Sequence, residues 1–224
     1  MKGDLIKVDE GEMLELEVEE DILKANERIA SINRKLLDLH GIRAFNFMGA
    51  IGSGKTEIIE RLVERLKGKY RIFVIAGDVT TTIDADRIKR HGVRALEINT
   101  GRECHLDALM IKKALKRINL DEIDLIFIEN VGNLICPADF PLGTHMNVVV
   151  VSVTEGPNMV KKHPFIIREA DVVVINKIDL ADVMEVNVDR LVKDARELNP
   201  RAKIVLTSAR RGLGIDDLIK SLEL

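Results

Sequence analysis

Gly49-Ala50-Ile51-Gly52-Ser53-Gly54-Lys55-Thr56 is the stretch that decides how this chain folds. It fits the pattern G-x-x-x-x-G-K-[ST], with a short apolar run at 44–48 before it and an amphipathic stretch at 55–67 after it. Glycine lets the backbone curl until its N–H groups point at phosphate oxygens, and the following helix adds its positive N-terminal end. A lysine at position 55 reaches the β/γ-phosphates, and the Thr56 hydroxyl ligates Mg²⁺. Gly49, Gly52, Ser53 and Gly54 complete the cradle.

Outward from this loop, strands and helices alternate. Further apolar runs lie at 71–76, 95–98, 124–128, 147–153, 171–175 and 203–206, and amphipathic stretches at 106–117, 188–198 and 215–222. Runs rich in β-branched residues suit strands buried on both faces. The pattern predicts an α/β fold, a P-loop NTPase with a mostly parallel sheet flanked by helices. Residues 21–40 read as a helix, with Ile22, Leu23, Ile29, Ile32, Leu36 and Leu37 near helical spacing. Residues 1–20 read as polar and mobile. The organisation expected is an N-terminal polar segment and helix (1–40) appended to one nucleotide-binding domain (41–224).

Composition bounds the rest. Apolar residues are 46% and aromatics 3% of the 224 residues, so Leu, Ile, Val and Ala must fill the core. A net charge of −3 gives no field that argues for nucleic acid or a membrane. The acidic start lacks a basic segment followed by an apolar run, and the longest mostly apolar run (148–153) is too short to span a bilayer. These features predict a soluble, cytoplasmic protein. Two cysteines do not make a disulfide scaffold.

Asn176-Lys177-Ile178-Asp179 follows the run at 171–175 and resembles the N-K-x-D motif of GTPases. There the Asp carboxylate accepts from guanine N1–H and the 2-amino group, the Lys stem covers the base and the Asn steadies the loop. Adenine offers neither donor, so the carboxylate would stay unpaired. Thr207-Ser208-Ala209 resembles the loop that touches guanine O6. These motifs predict GTP as the ligand.

Asp78 ends the second run, at the edge where parallel sheets bind ligands. It is a candidate Mg²⁺ ligand, and a helix cap is the alternative. Glu129-Asn130-Val131-Gly132 stands where GTPases carry D-x-x-G, with Glu129 on the Mg²⁺ side and the Gly132 amide sensing the γ-phosphate. Gln does not occur, which removes the residue that orients the attacking water in small signalling GTPases. Asp78 and Asp84 are the substitutes, and turnover is expected to be slow.

Cys104-His105 precedes the amphipathic stretch at 106–117, and Cys136 lies a few residues past Gly132. Thiolate and imidazole suit Zn²⁺ or Ni²⁺, and a helix N-terminus would stabilise the Cys104 thiolate. Spacing alone, with no C-x-x-C, favours two inert buried cysteines and a surface histidine.

Taken together, the loop at 49–56, Gly77-Asp78, Cys104-His105-Leu106-Asp107, Glu129–Gly132 continued by Asn133-Leu134-Ile135-Cys136-Pro137, and the segment 176–180 resemble the HypB family, the nickel-incorporation GTPases of hydrogenase maturation. The likeness runs from about Ile22 to the C-terminus. The related urease accessory GTPase has a C-P-H motif that this chain lacks. The resemblance implies a dimerising GTPase, of the class that includes the signal-recognition-particle GTPases. It also implies nickel delivery to the large subunit of [NiFe] hydrogenase, together with a small zinc-containing accessory protein. It further implies that Cys104, His105 and Cys136 bind metal between the subunits of a GTP-dependent homodimer. Met1–Glu20 contains neither Cys nor His, so the family's N-terminal nickel-binding and nickel-storage segments are not expected. Two other readings stay open: a GTP-gated assembly factor with a purely structural zinc site, and a P-loop kinase.

Overall fold

The computed structural model describes residues 10–78, 83–101 and 103–224, with the backbone alone described at 10–20 and 83. Seven strands form one sheet, β1 (Arg43–Met48), β2 (Ile72–Asp78), β3 (Arg94–Asn99), β4 (Leu125–Glu129), β5 (Met146–Ser152), β6 (Val172–Asn176) and β7 (Lys203–Leu206). Their order is β3-β2-β4-β1-β5-β6-β7, and every pairing is parallel. All seven expected runs are strands. Their alternate residues serve two layers, as the period of two requires. Phe45, Phe47, Phe127, Val148, Val150, Val172 and Val174 pack on one face. Ala44, Met48, Ile126, Ile128, Val149, Val151, Val173 and Ile175 pack on the other.

Helices cover both faces. On the first lie α2 (Lys55–Leu66), α3 (Ile83–Lys89) and α8 (Ile215–Ser221), through Ile58, Leu62, Ile88 and Leu218 among others. On the second, α5 (Met159–Lys162), α6 (Pro164–Arg168) and α7 (Val188–Leu198) cover β5 and β6. Beside them α1 (Glu10–Leu39) and α4 (Ala108–Leu115) cover the β2–β4 half. No helix among the described residues is long and apolar enough to cross a membrane.

Two expectations need correction. Residues 10–20, read from sequence as part of a polar, mobile segment ahead of the helix, belong to the first turns of α1, a helix of 30 residues; residues 1–9 lie outside the described residues. Glu is a good helix former, so acidity alone does not argue against a helix. The second correction is at α4. It begins at Ala108, because Asp107 caps it by accepting from the Met110 N–H at 2.6 Å. Cys104 and His105 therefore sit in the preceding loop.

α1 is seated closely. Gly143, at φ +88°, lies under it, and a Cβ there would fall 2.2 Å from the Ala30 carbonyl oxygen and 2.9 Å from Asn33 Cβ. Gly143→Ala combines a strained backbone with overpacking, each worth about 1–3 kcal/mol. We expect a loss of about 2–4 kcal/mol in thermal or denaturant unfolding, with amides of α1 losing hydrogen-exchange protection first. A Gly143→Ala variant as stable as the parent would show that α1 does not rest on this turn.

Candidate functional site

The C-terminal ends of the parallel strands gather the motif residues at one edge, as this topology dictates. A cleft of about 650 Å³ opens there, lined by the loop of 51–56, Asp78, Asp84, Glu129, Gly132, the 176–180 segment and Ser208-Ala209.

The loop after β1 owes its shape to glycine. Gly49, Gly52 and Gly54 have φ of 151°, 78° and 102°. A Cβ on Gly54 would come within 2.3 Å of Asn176 Nδ2, so that position is closed to side chains. Lys55 is buried, and its Nζ donates to the Gly49 and Ala50 carbonyls at 3.1 Å each. Burial lowers its pKa, while Glu129, Asp84 and Glu155 oppose that shift. Thr56 Oγ1 lies 2.7 Å from Glu129 Oε1 and 3.1 Å from Asp84 Oδ1, so α2, β4 and α3 meet at one hydroxyl. Glu129 is buried, its pKa is pushed up to about 7 by burial, and its Oε2 has no hydrogen-bond partner. Asp78, at the end of β2, lines the same cleft. Gly132 abuts the loop, since a Cβ on it would lie 2.3 Å from Ile51 Cγ1.

The 176–179 segment is bound to the same loop. Asn176 Nδ2 donates to the Ser53 carbonyl at 3.0 Å, and its Oδ1 accepts from Thr207 Oγ1 and Ala209 N. Lys177, in a left-handed conformation, sends Nζ to the Gly52 carbonyl at 2.6 Å. Asp179 accepts from Ser208 Oγ at 2.6 Å and pairs with Arg211 at 3.2 Å. The Ser208 hydrogen bond, then the arginines nearby, hold its pKa below the usual carboxylate range.

Two cations were missed from sequence. Arg211 pairs with Asp179, and Arg87 lines the cleft while binding Glu60 at 2.6 Å and Glu57 at 3.4 Å. Arg87 stands three residues after Asp84, and that i,i+3 spacing was its one sequence signal.

Cys104, His105 and Cys136 do come together: one ligand atom from each lies within 4.8 Å of the others. Their burial inverts what spacing favoured. Cys104 is exposed, Cys136 half-buried and His105 buried. Cys104 Sγ lies 3.0 Å from Cys136 Sγ. That contact, followed by burial, pushes the Cys104 thiol up, and Cys104 lies in the loop before α4, whose first turn is capped by Asp107. The His105 ring stacks on Phe140 with centroids 3.9 Å apart. Asn130, next to Glu129, accepts the Leu106 N–H at 3.0 Å, and so ties the end of β4 to the residue after His105.

Comparison with known proteins agrees with this geometry. Residues 43–206 match the family CobW/HypB/UreG, nucleotide-binding domain. The chain is 55% identical over 208 residues to the probable hydrogenase maturation factor HypB of Methanocaldococcus jannaschii, covering 93% of this chain and 94% of that one. It is 42% identical to the hydrogenase maturation factor HypB of Escherichia coli, covering 93% and 72%. Among solved structures, HypB from Archaeoglobus fulgidus superposes with a TM-score of 0.84 at 48% identity, covering 89% of this chain and 98% of that one. HypB from Helicobacter pylori in complex with nickel gives 0.84 at 37% identity, covering 89% and 94%. The chain, a P-loop nucleotide-binding protein with a thiol–imidazole cluster beside its cleft, belongs to the CobW/HypB/UreG family.

Proposed function

We propose that this chain is a GTP-hydrolysing metallochaperone that dimerises with GTP and assists nickel insertion into [NiFe] hydrogenase. The observation that carries the reading is the short segment from Glu129 to Cys136, which runs from the nucleotide cleft to the thiol–imidazole cluster. The Asn130–Leu106 hydrogen bond joins the same two places a second time.

In this reading Lys55 turns from the loop carbonyls to the β/γ-phosphates. The donors present suit Mg²⁺, since Thr56 already faces two carboxylates and Glu129 Oε2 is a buried oxygen without a partner. Thr56, Glu129 and Asp78 would hold the ion, which when bound would neutralise charge on the phosphates. Asp84 or Asp78 orients the attacking water. Guanine N1–H and its 2-amino group replace the Arg211 contact on Asp179, Lys177 covers the base, and Ser208-Ala209 meets O6. Nickel is cargo, held by Cys104, His105 and Cys136. One chain offers three donors where square-planar Ni²⁺ or tetrahedral Zn²⁺ takes four, so a second subunit completes the set. A small zinc-containing accessory protein and the hydrogenase large subunit are the proposed partners, in the cytoplasm.

Cys136→Ser tests the cargo role. We expect Ni²⁺ affinity to fall at least tenfold and transfer to a nickel acceptor to fail. The melting temperature of the metal-free protein should stay within a few degrees, because Cys136 is half-buried. Retained nickel transfer would overturn the reading. A large stability loss in the metal-loaded protein alone would favour a structural zinc site.

A further inference from the structure

The loop carrying Cys104 and His105 and the loop carrying Cys136 leave different strands of the sheet. The two loops touch directly, through the Asn130–Leu106 hydrogen bond and through Asn133 Nδ2 donating to the Cys104 carbonyl at 3.4 Å. Behind them α1 adds a brace through two buried asparagines, Asn26 and Asn33. They are seven residues apart, about two helical turns, and so lie on one face. Asn26 Oδ1 accepts from the Ala108 N–H at 2.8 Å, and its Nδ2 donates to the Pro141 carbonyl at 2.9 Å. Asn33 Nδ2 donates to the Ala108 carbonyl at 2.8 Å and to the Leu142 carbonyl at 3.0 Å. Each amide thus spans from the foot of the His105 loop to the end of the Cys136 loop. Between the spanned points, Phe140 stacks on the His105 ring.

Asparagine is a costly choice here. It is a poor residue for a helix interior, and burying an amide is unfavourable unless its groups are bonded. A Leu would dock α1 with less specificity. An amide fixes position instead, because its bonds fail when the backbones shift by a fraction of an ångström. The Ala108 N–H is also one of the unpaired donors in the first turn of α4, so Asn26 satisfies it while setting the separation.

We infer that α1 is a splint for the metal cluster, with Asn26 and Asn33 as positioning residues that hold the Cys104–His105 and Cys136 segments at ligating distance. The inference rests on the reading of that cluster as the nickel site. Groups that orient metal ligands from behind typically account for about 10–100-fold in affinity. Loosening α1 therefore weakens the site without touching a ligand, and metal binding in turn tightens the seating of α1, since the linkage is reciprocal.

The test is titration of the full chain with Ni²⁺ alone, in competition with a chelator. It reads affinity, the Ni²⁺–thiolate absorption band, and GDP affinity as a control. Asn26→Ala should bind Ni²⁺ about tenfold more weakly, about 1.4 kcal/mol, with a shifted band and unchanged GDP affinity. Asn33→Ala cuts the second bridge and leaves Asn26 in place, so it gives a second reading if Asn26→Ala folds poorly. It should weaken Ni²⁺ and shift the band as well. A merely structural role would lower melting temperature and leave affinity and band unmoved. Wild-type affinity and spectrum in both variants, when Cys136→Ser loses Ni²⁺, overturn the splint alone. If wild type and Cys136→Ser bind Ni²⁺ equally, the cluster is not the site, and the splint falls with it.

Discussion

Lys55→Ala should leave a folded protein that barely hydrolyses nucleotide. Lys55 is a buried cation braced by two carbonyls of its own loop, with Glu129 and Asp84 in its field. Its value lies in preorganisation, because the fold keeps the charge beside the cleft, and once it has turned to the phosphates little rearrangement is needed when negative charge develops. Removing one such donor costs on the order of 10²–10³ in rate. Alanine also leaves the Gly49 and Ala50 carbonyls unbraced and takes away the cation that offsets Glu129. We therefore expect a melting temperature lower by several degrees, without loss of cooperative unfolding. Glu129 limits the damage, since a carboxyl whose pKa is pushed up to about 7 can protonate instead of staying buried and charged. Phosphate release under single turnover checks the prediction. A wild-type rate in Lys55→Ala would remove Lys55 from the chemistry. Arginine is no rescue, because its planar fork does not fit where a point charge sits.

The sheet was legible because parallel strands buried on both faces are near-continuous aliphatic runs, as in Val172 to Ile175. α2 and α7 were legible for the opposite reason, since each carries a polar face toward solvent. α5 and α6 were not, because helices of four and five residues complete too few turns to show a period. α3, with seven residues and charges at Asp84, Asp86, Arg87 and Lys89, fails the same way. Asp84 was thus read as a lone carboxylate, and Arg87 was not read at all.

The cleft followed a similar rule. Residues 49–56 and 176–179 act within a few positions of one another, so spacing encodes them, and the fold has only to bring Asn176 to Ser53. The cluster at Cys104, His105 and Cys136 is assembled across 32 residues, and spacing gave its burial the wrong way round. The amides of Asn26 and Asn33 reach partners 75 to 115 residues away. Nothing local in a helix marks an asparagine as the bridge between two distant loops.

Asp179→Asn should exchange the preferred base. The carboxylate has no donor of its own and is served by Ser208 and Arg211. A base presenting two adjacent N–H donors can take over the Arg211 side, and guanine is such a base. An asparagine presents one acceptor and an NH₂. Against guanine, that NH₂ meets the 2-amino group donor to donor, which loses one hydrogen bond and strands two polar groups. Each stranded group costs about 1–3 kcal/mol, so GTP should weaken by about 10²–10³-fold. Xanthine carries a carbonyl where guanine has the amino group, and the same NH₂ then finds an acceptor. The variant should therefore prefer xanthosine triphosphate over GTP, the reverse of the parent. Arg211 sharpens the contrast, because the neutral amide can no longer pair with it and its charge is freed toward the incoming carbonyl. Competition of GTP, xanthosine triphosphate and ATP against one fluorescent nucleotide measures all three affinities together. Unchanged GTP binding by Asp179→Asn would show that the carboxylate does not read the base. A parent that bound ATP as well as GTP would return the cleft to an adenine-using P-loop enzyme.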